Sequence, residues 1–393
     1  MLRTHIILSF FLVGSQFLYS QSKASDLPVI DVSRNYPRKE SYLQDIAKVE
    51  YIPFETNDKT LMKPRGKIVY VSADYIIASN TEDGDIFVFN GKGKWKYSFN
   101  HKGQGPRDYN SLHSIAFDEN TKEIFVFDRF SSTHKILVYA ENGEFKRALT
   151  NFPSLQDVDV YSFDKEMLLV YDKSGVIHQG VTDQNLLSSN PYMFISKKDG
   201  SIVDTLHSHL PLRVSNAAAW QEGEYIASRR VPITNNRSFG NNFLIADWSA
   251  DTIYRLTPYR EFQPIFVRRP LVQKTNPKML LSNFLVTDKF ILLGIYSMDY
   301  DKIKNAVFPE AKRLIYDFKT GQINENRFKN RDITTSTHVV MLETTTPENI
   351  GITMYDVSFL SHLDDKGELR GDLKDLLKTL DLEDNPVLVK ITF

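Results

Sequence analysis

The sequence has no cysteine anywhere in its 393 residues. That excludes disulfides, Cys-ligated zinc, thiol nucleophiles and iron–sulfur clusters. It also excludes the acylated cysteine on which a bacterial lipoprotein anchor depends. It leaves the redox compartment open, because a chain without thiols is safe in either. Charge of one sign is not in excess: 48 Lys and Arg face 49 Asp and Glu, a formal charge of −1. No basic surplus is present to neutralise a phosphate backbone, so nucleic acid is not an expected partner. Two chemical signatures are absent as well. None of the nine histidines sits in an H-E-x-x-H frame, and no G-x-S-x-G elbow occurs.

Long apolar runs are scarce. The one that stands out, Ile6 to Tyr19, follows a short polar start with Arg3 and His5. It is too short to cross a bilayer comfortably, and small residues follow at Ser20, Ser22 and Ala24. This is the grammar of a secretory signal, expected over residues 1–24. No later stretch reads as transmembrane, so the mature chain is expected in the periplasm or outside the cell.

What remains is an ordinary globular balance, 41% apolar and 25% charged, rich in Phe (26) and Tyr (19). Aromatics favour strands and fill the layers between sheets. Residues 25–46 read as a polar, irregular lead, and residues 47–393 as one domain. All-β chains of this length commonly form a single unit.

The organisation is a repeat. Ile68–Val71, Tyr75–Ala78, Ile86–Phe89 and Trp95–Phe99 alternate as strands, and Asn90-Gly91-Lys92-Gly93 supplies a turn where glycine tolerates positive φ. The pattern returns as Ser114–Phe117, Glu123–Asp128, Lys135–Tyr139 and Phe145–Leu149, with Glu141-Asn142-Gly143 as its turn. Four short antiparallel strands in this span make one propeller blade. Further units run over about Val158–Leu206, Arg213–Arg268 and Leu280–Phe328. The fourth includes Tyr225-Ile226-Ala227, and its first strand is ambiguous. The remainder holds strands at His338–Leu342, Ile350–Tyr355 and Val387–Ile391, and a helical period over Leu369–Leu380 with Leu373, Leu376, Leu377 and Leu380 on one face. It is one strand short of a blade, and Val49–Glu55 supplies that strand. The expectation is an all-β, six-bladed propeller of four-stranded blades, its last blade closed by strands from both termini, with a short C-terminal helix inserted.

Gly103-Gln104-Gly105-Pro106-Arg107-Asp108-Tyr109 resembles the G-x-G-P-x-E/D-Y signature between the first two blades of the six-bladed propeller proteins exported by Bacteroidetes. Val49–Thr56 resembles their opening strand, Asp251-Thr252-Ile253-Tyr254 their fourth-blade motif, and Asp384-Asn385-Pro386-Val387-Leu388 their closing strand. The resemblance implies an exported propeller, NHL-like in shape, often found as a lipoprotein beside glycan-uptake systems. Lacking cysteine, this chain departs from the lipoprotein pattern.

A phosphate cradle at Gly103 and Gly105 is disfavoured by Pro106, which has no N–H to donate; a tight turn between blades is expected instead. His207 and His209 have the spacing to share one face of a strand, but no third metal ligand accompanies them. No cofactor is expected, with channel Ca²⁺ held by carboxylates as the alternative. Loops leading into each first strand share a face with the loops between second and third strands. That places Arg107, Asp108, Tyr109, Arg129 and His134 on one rim, together with the Gly175–Asn190 and Ser297–Glu310 segments, and Arg229-Arg230 less securely. A rim of Arg, Tyr and carboxylate suits a polar ligand. The functional expectation is a binding or scaffold module for a polar small molecule, glycan or peptide, with an envelope protein as a further partner class. The glycan element rests on resemblance. The alternative is a metal-dependent propeller hydrolase or lyase with its site in the channel.

Overall fold

A computed structural model describes residues 27–393 except 65, 130–134, 154, 156, 174–176, 179, 180, 183–189, 208–212, 232–235, 308, 309 and 345–348. The expected signal segment, His134, His209 and most of the Gly175–Asn190 insertion lie outside the described residues.

Blade 1 is Lys67–Val71, Tyr75–Asn80, Asp85–Asn90 and Trp95–Asn100, hydrogen-bonded in that order. Blade 2 is Ser114–Asp118, Glu123–Phe127, Ile136–Ala140 and Phe145–Leu149. Blade 3 is Val158–Ser162, Met167–Asp172, Tyr192–Ser196 and Ile202–Leu206. The turns before the fourth strands of blades 1 and 2 hold Gly93 and Gly143 at φ of 77° and 88°, a conformation that other residues reach only at a cost. First strands of neighbouring blades touch one another around the axis, for example those of blades 1 and 2 and of blades 2 and 3.

Blade 4 is Asn236–Phe239, Asn242–Ile245, Thr252–Leu256 and Phe262–Arg269; blade 5 is Lys278–Val286, Phe290–Met298, Lys312–Asp317 and Ile323–Lys329. Each gains a fifth strand from the N-terminus. Val29–Asp31 runs parallel to the outer strand of blade 4, and Arg38–Tyr42 parallel to that of blade 5. The lead read from sequence as irregular is therefore an ordered strap across two outer edges. Its second strand, Arg-Lys-Glu-Ser-Tyr, is almost wholly exposed and carries the charges that keep an edge from pairing further. The four-residue helix α1 (Leu43–Ile46) then turns the chain towards closure.

Blade 6 is composite, as expected. Ile350–Tyr355 pairs with Val387–Thr392, which pairs in turn with Lys48–Pro53 in the register Val389 to Tyr51 and Leu388 to Ile52. Its first-strand position is reduced to isolated bridges, Val340 to Phe328 and Glu343 to Ile352.

Two further corrections concern insertions. Tyr225-Ile226-Ala227 belongs to a separate hairpin, Ala217–Glu222 with Tyr225–Arg230, that precedes blade 4. The first strand of blade 4 is the short, polar Asn236–Phe239, which explains its weak signal. Helix α2 (Tyr300–Lys304) lies between the second and third strands of blade 5. Between those of blade 6, the expected C-terminal helix is the shorter α4 (Gly371–Leu377), preceded by α3 (Val357–Asp365), which the leucine period does not announce.

The core is a set of layers between blades. Tyr75, Ile77, Ile86 and Val88 of blade 1 meet Phe117, Ile124, Val126 and Leu137 of blade 2, all essentially buried. Equivalent layers join blades 2 and 3, blades 4 and 5, and blades 6 and 1. Each fully buried side chain of this size stabilises by about 1.5–3 kcal/mol. The strands read as continuous apolar runs because both faces of each sheet are covered.

Candidate functional site

The signature between blades 1 and 2 is structural. Asp108 Oδ2 accepts from the Gly105 N–H at 2.9 Å, and a Cβ on Gly103 or Gly105 would fall 2.5 and 2.7 Å from that oxygen. Tyr109, placed on the rim from sequence, is instead fully buried, which corrects that reading. Its hydroxyl donates to the Gly84 carbonyl at 2.6 Å and accepts from the His101 N–H at 2.9 Å. Burial first, then the nearby carboxylates of Asp85 and Asp108, push its pKa above the ordinary tyrosine value. Arg107 lies over the Phe145 ring at 5.4 Å, and its carbonyl accepts from the Tyr139 hydroxyl at 2.6 Å. The segment locks blade 1 to blade 2 as the expected tight turn, and its tyrosine leaves no free group for a ligand.

The charged centre lies one blade further on, at the mouth of the channel on the same loop face. Asp157, immediately before the first strand of blade 3, is 3% exposed. His113, before the first strand of blade 2, reaches it with Nε2 at 2.8 Å. Lys173, just after the second strand of blade 3, lies 3.4 Å away, and Arg230, ending the separate hairpin, lies 3.0 Å away. Arg129, just after the second strand of blade 2, stands at 4.0 Å. Lys173 also pairs with Asp159 at 2.6 Å. Groups from blades 2 and 3 and from an inserted hairpin thus converge on one carboxylate.

The electrostatics follow from that convergence. Burial would raise the Asp157 pKa, but the His113 hydrogen bond and the charges of Lys173 and Arg230 outweigh it and hold the carboxyl well below its ordinary range. Burial likewise opposes the charge on Lys173, and Asp159 and Asp157 reverse the balance and raise it. Lys173, Arg230 and Arg129 thus stand around the two carboxylates of Asp157 and Asp159. Beside it, Arg213, 6% exposed, donates to the Tyr171 hydroxyl at 3.1 Å and the Asp172 carbonyl at 3.2 Å. The Tyr192 hydroxyl has two acceptors within reach of its one proton, Asn236 Oδ1 at 3.1 Å and Asp247 Oδ2 at 3.2 Å. This second network braces the wall behind Asp157.

Of the residues singled out from sequence, Arg129 joins this centre and Arg230 proves central to it. Asp157, His113 and Lys173 were missed. The available signal was positional: His113 and Asp157 each stand just before the first strand of their blade.

The opposite face of the ring carries a cavity of about 440 Å³ at the far end of the first strands, lined by Tyr70, Glu119, Tyr161, Phe163, Lys165 and Phe243 among others. Its acidic groups are engaged internally. Asp118 pairs with Lys197 at 2.6 Å, both nearly inaccessible, and Glu119 accepts from the Tyr70 hydroxyl at 2.7 Å. Among the described residues no three His, Asp or Glu side chains gather to hold a metal ion, and no helix is long and apolar enough to cross a membrane.

Comparison with known proteins agrees with this architecture. No curated protein matches the chain. Among solved structures, a Bacteroides fragilis protein described provisionally as exported has a TM-score of 0.64 at 16% identity, over 93% of this chain and 99% of that one. A member of the duf4221 family from Bacteroides vulgatus has a TM-score of 0.41 at 9% identity, over 88% and 96%. At 16% identity the likeness to the Bacteroides fragilis protein extends to the fold alone. Residues 27–392 match the family described as "Domain of unknown function (DUF4934)", and the chain belongs to that family.

Proposed function

We propose that the protein is an exported binding module that takes a polar ligand, a glycan or peptide, on the loop face of the ring. The observation that carries this reading is the Asp157 centre. Holding four potential cations around a buried carboxylate is an expensive way to stabilise a fold, because desolvation offsets most of the Coulomb gain. Such clusters in a concavity are where binding sites concentrate. Arg129 and Arg230 keep 36% and 43% of their side chains exposed, so their guanidinium forks can turn to a ligand while Lys173 and His113 hold Asp157. The amino-terminal apolar stretch, read from sequence as a signal, supports an extracytoplasmic site of action.

The test is a thermal-shift screen of the mature chain against neutral and charged glycans and peptides. A ligand present at about a hundred times its Kd adds about 2.7 kcal/mol. Arg230→Ala and Arg129→Ala are expected to weaken a hit at least tenfold while leaving melting of the free protein within a degree or two. A ligand whose affinity ignores both substitutions would move the site elsewhere.

A further inference from the structure

The cavity on the face opposite the Asp157 centre is built by four blades. Its wall comes from the first strands of blades 1 to 4 near their ends and from the turns that follow them in blades 2 to 4, with Pro258 added from a later turn of blade 4. At about 440 Å³ it falls in the range of small-molecule pockets. The wall is aromatic on two sides. Tyr70 of blade 1 meets Phe117 of blade 2 edge to face, with ring centroids 5.3 Å apart. Phe243 of blade 4 meets Tyr161 and Phe163 of blade 3 at 5.4 and 6.0 Å. Tyr70, Tyr161 and Phe163 are only half-buried, so part of each side chain stays accessible. The turns set amides beside these rings: Asn120 of blade 2 and Asn241 of blade 4 line the cavity and are exposed. A Cβ on Gly240 would meet nothing within 4 Å, so the blade 4 turn borders open space.

Three carboxylates, Asp118, Glu119 and Asp164, line the cavity against one lysine, the exposed Lys165. Each carboxylate already has donors. Asp118 is held by Lys197 at 2.6 Å. Asp164 Oδ1 accepts from the N–H groups of Glu166 and Met167 at 2.8 and 2.7 Å. Glu119 accepts from the hydroxyls of Tyr70 at 2.7 Å and Ser72 at 3.1 Å, and no ion pair is found for it among the described residues. It is therefore a half-buried carboxylate answered by neutral hydroxyls. An acidic ligand would enter against like charge. A cation is not called for either, because no carboxylate here is left without a donor.

We propose that this cavity binds a neutral sugar of one or two pyranose units. A pyranose ring presents apolar C–H faces to aromatic rings, and its hydroxyls donate to carboxylates and accept from amides. The wall offers those three kinds of surface together: rings from blades 1, 3 and 4, the Glu119 carboxylate, and the Asn120 and Asn241 amides. The site shares no residue with the Asp157 centre and does not rest on the loop-face reading.

The experiment is isothermal titration of the mature protein with glucose, galactose and mannose, their 1,4-linked disaccharides, and the uronate and 2-amino form of each monosaccharide. We expect at least one neutral sugar to bind, and its uronate and amino forms to bind at least tenfold more weakly. Asn241→Trp and Asn120→Trp, on separate exposed turns, should each fill the cavity and weaken that sugar at least tenfold while the protein melts like the parent. Glu119→Gln keeps the shape, removes the charge and should weaken it at least threefold. No binding by any neutral sugar, equal or tighter binding of a charged form, or binding that survives both tryptophan substitutions would overturn the assignment. Arg230→Ala separates the two faces. Loss of the sugar on that substitution, with Asn241→Trp and Asn120→Trp silent, would place it on the loop face and refute this site. Loss on Asn241→Trp and Asn120→Trp with Arg230→Ala silent would establish this site whatever the loop face binds.

Discussion

Replacing Asn385 by alanine removes the side chain that joins the two ends of the chain. Asn385 is 1% exposed. Its Oδ1 accepts from the Met62 N–H at 2.7 Å, and its Nδ2 donates to the Thr60 carbonyl at 2.9 Å and the Glu55 carbonyl at 3.3 Å. All three partners lie just after the N-terminal strand that completes blade 6, while Asn385 just precedes the strand it pairs with. Alanine leaves at least one N–H and one carbonyl buried without partners, each at about 1–3 kcal/mol. Discounting the long third bond, the expected loss is about 2–4 kcal/mol, large for one surface-distant substitution. Urea unfolding followed by tryptophan fluorescence reads it as a lower midpoint with unchanged slope. Asn385→Asp keeps the acceptor for Met62 but sets a buried carboxylate oxygen against the Thr60 and Glu55 carbonyls, so at neutral pH it should cost at least as much as alanine. A loss under about 1 kcal/mol for alanine, with aspartate no different, would refute the view that this residue latches the ring.

Other perturbations test other parts of the ring. Truncation to residue 47 strips the two strap strands and should lower the melting temperature while keeping one cooperative transition; truncation to Phe54 also removes the closing strand and should broaden or abolish it, as calorimetry would record. Lys197→Met leaves buried Asp118 uncompensated and should cost about 3–5 kcal/mol, whereas Lys197→Met with Asp118→Leu should recover most of that in chemical denaturation. Because the folded pKa of Asp157 is depressed, its stabilisation is complete above the unfolded value of about 3.9 and is lost as pH falls through the lower folded value. Urea midpoints followed as pH is lowered from about 5 to about 2 should therefore fall less steeply for Asp157→Asn than for the parent.

The blades were legible because two constraints coincide in them. Layers such as Tyr75, Ile77 and Ile86 against Phe117 and Ile124 require apolar residues on both faces of a strand, and the reversals between strands require glycine where φ is positive, as at Gly93 and Gly143. Both leave a mark at fixed spacing, which the repeat makes visible twice. The closing strand was legible for a different reason. A ring with one blade a strand short has an exposed edge, and Lys48–Pro53 was the unassigned strand able to cover it. The strap strands satisfy neither constraint. They add to outer edges in parallel, bury little, and are charged because an outermost strand must be, so Arg38–Tyr42 reads like a loop.

The Asp157 centre shows why the site lagged behind the fold. Its members stand 44 residues apart in the His113–Asp157 contact, and Lys173 and Arg230 come from a strand end and an inserted hairpin. No local pattern can report such a meeting, because the ring, not the segment, brings the groups together. What sequence did offer was a family signature, and Gly103–Tyr109 drew attention to the wrong feature. Those residues are constrained by packing: Asp108 fills the space above two glycines, and Tyr109 plugs the seam between blades. A motif that fixes a blade junction must keep its residues wherever the fold persists, whereas a binding mouth need only keep a shape and a sign of charge. In a propeller, then, the positions worth reading for function are the polar residues just before each first strand and just after each second strand, since the fold itself carries both sets to a common mouth.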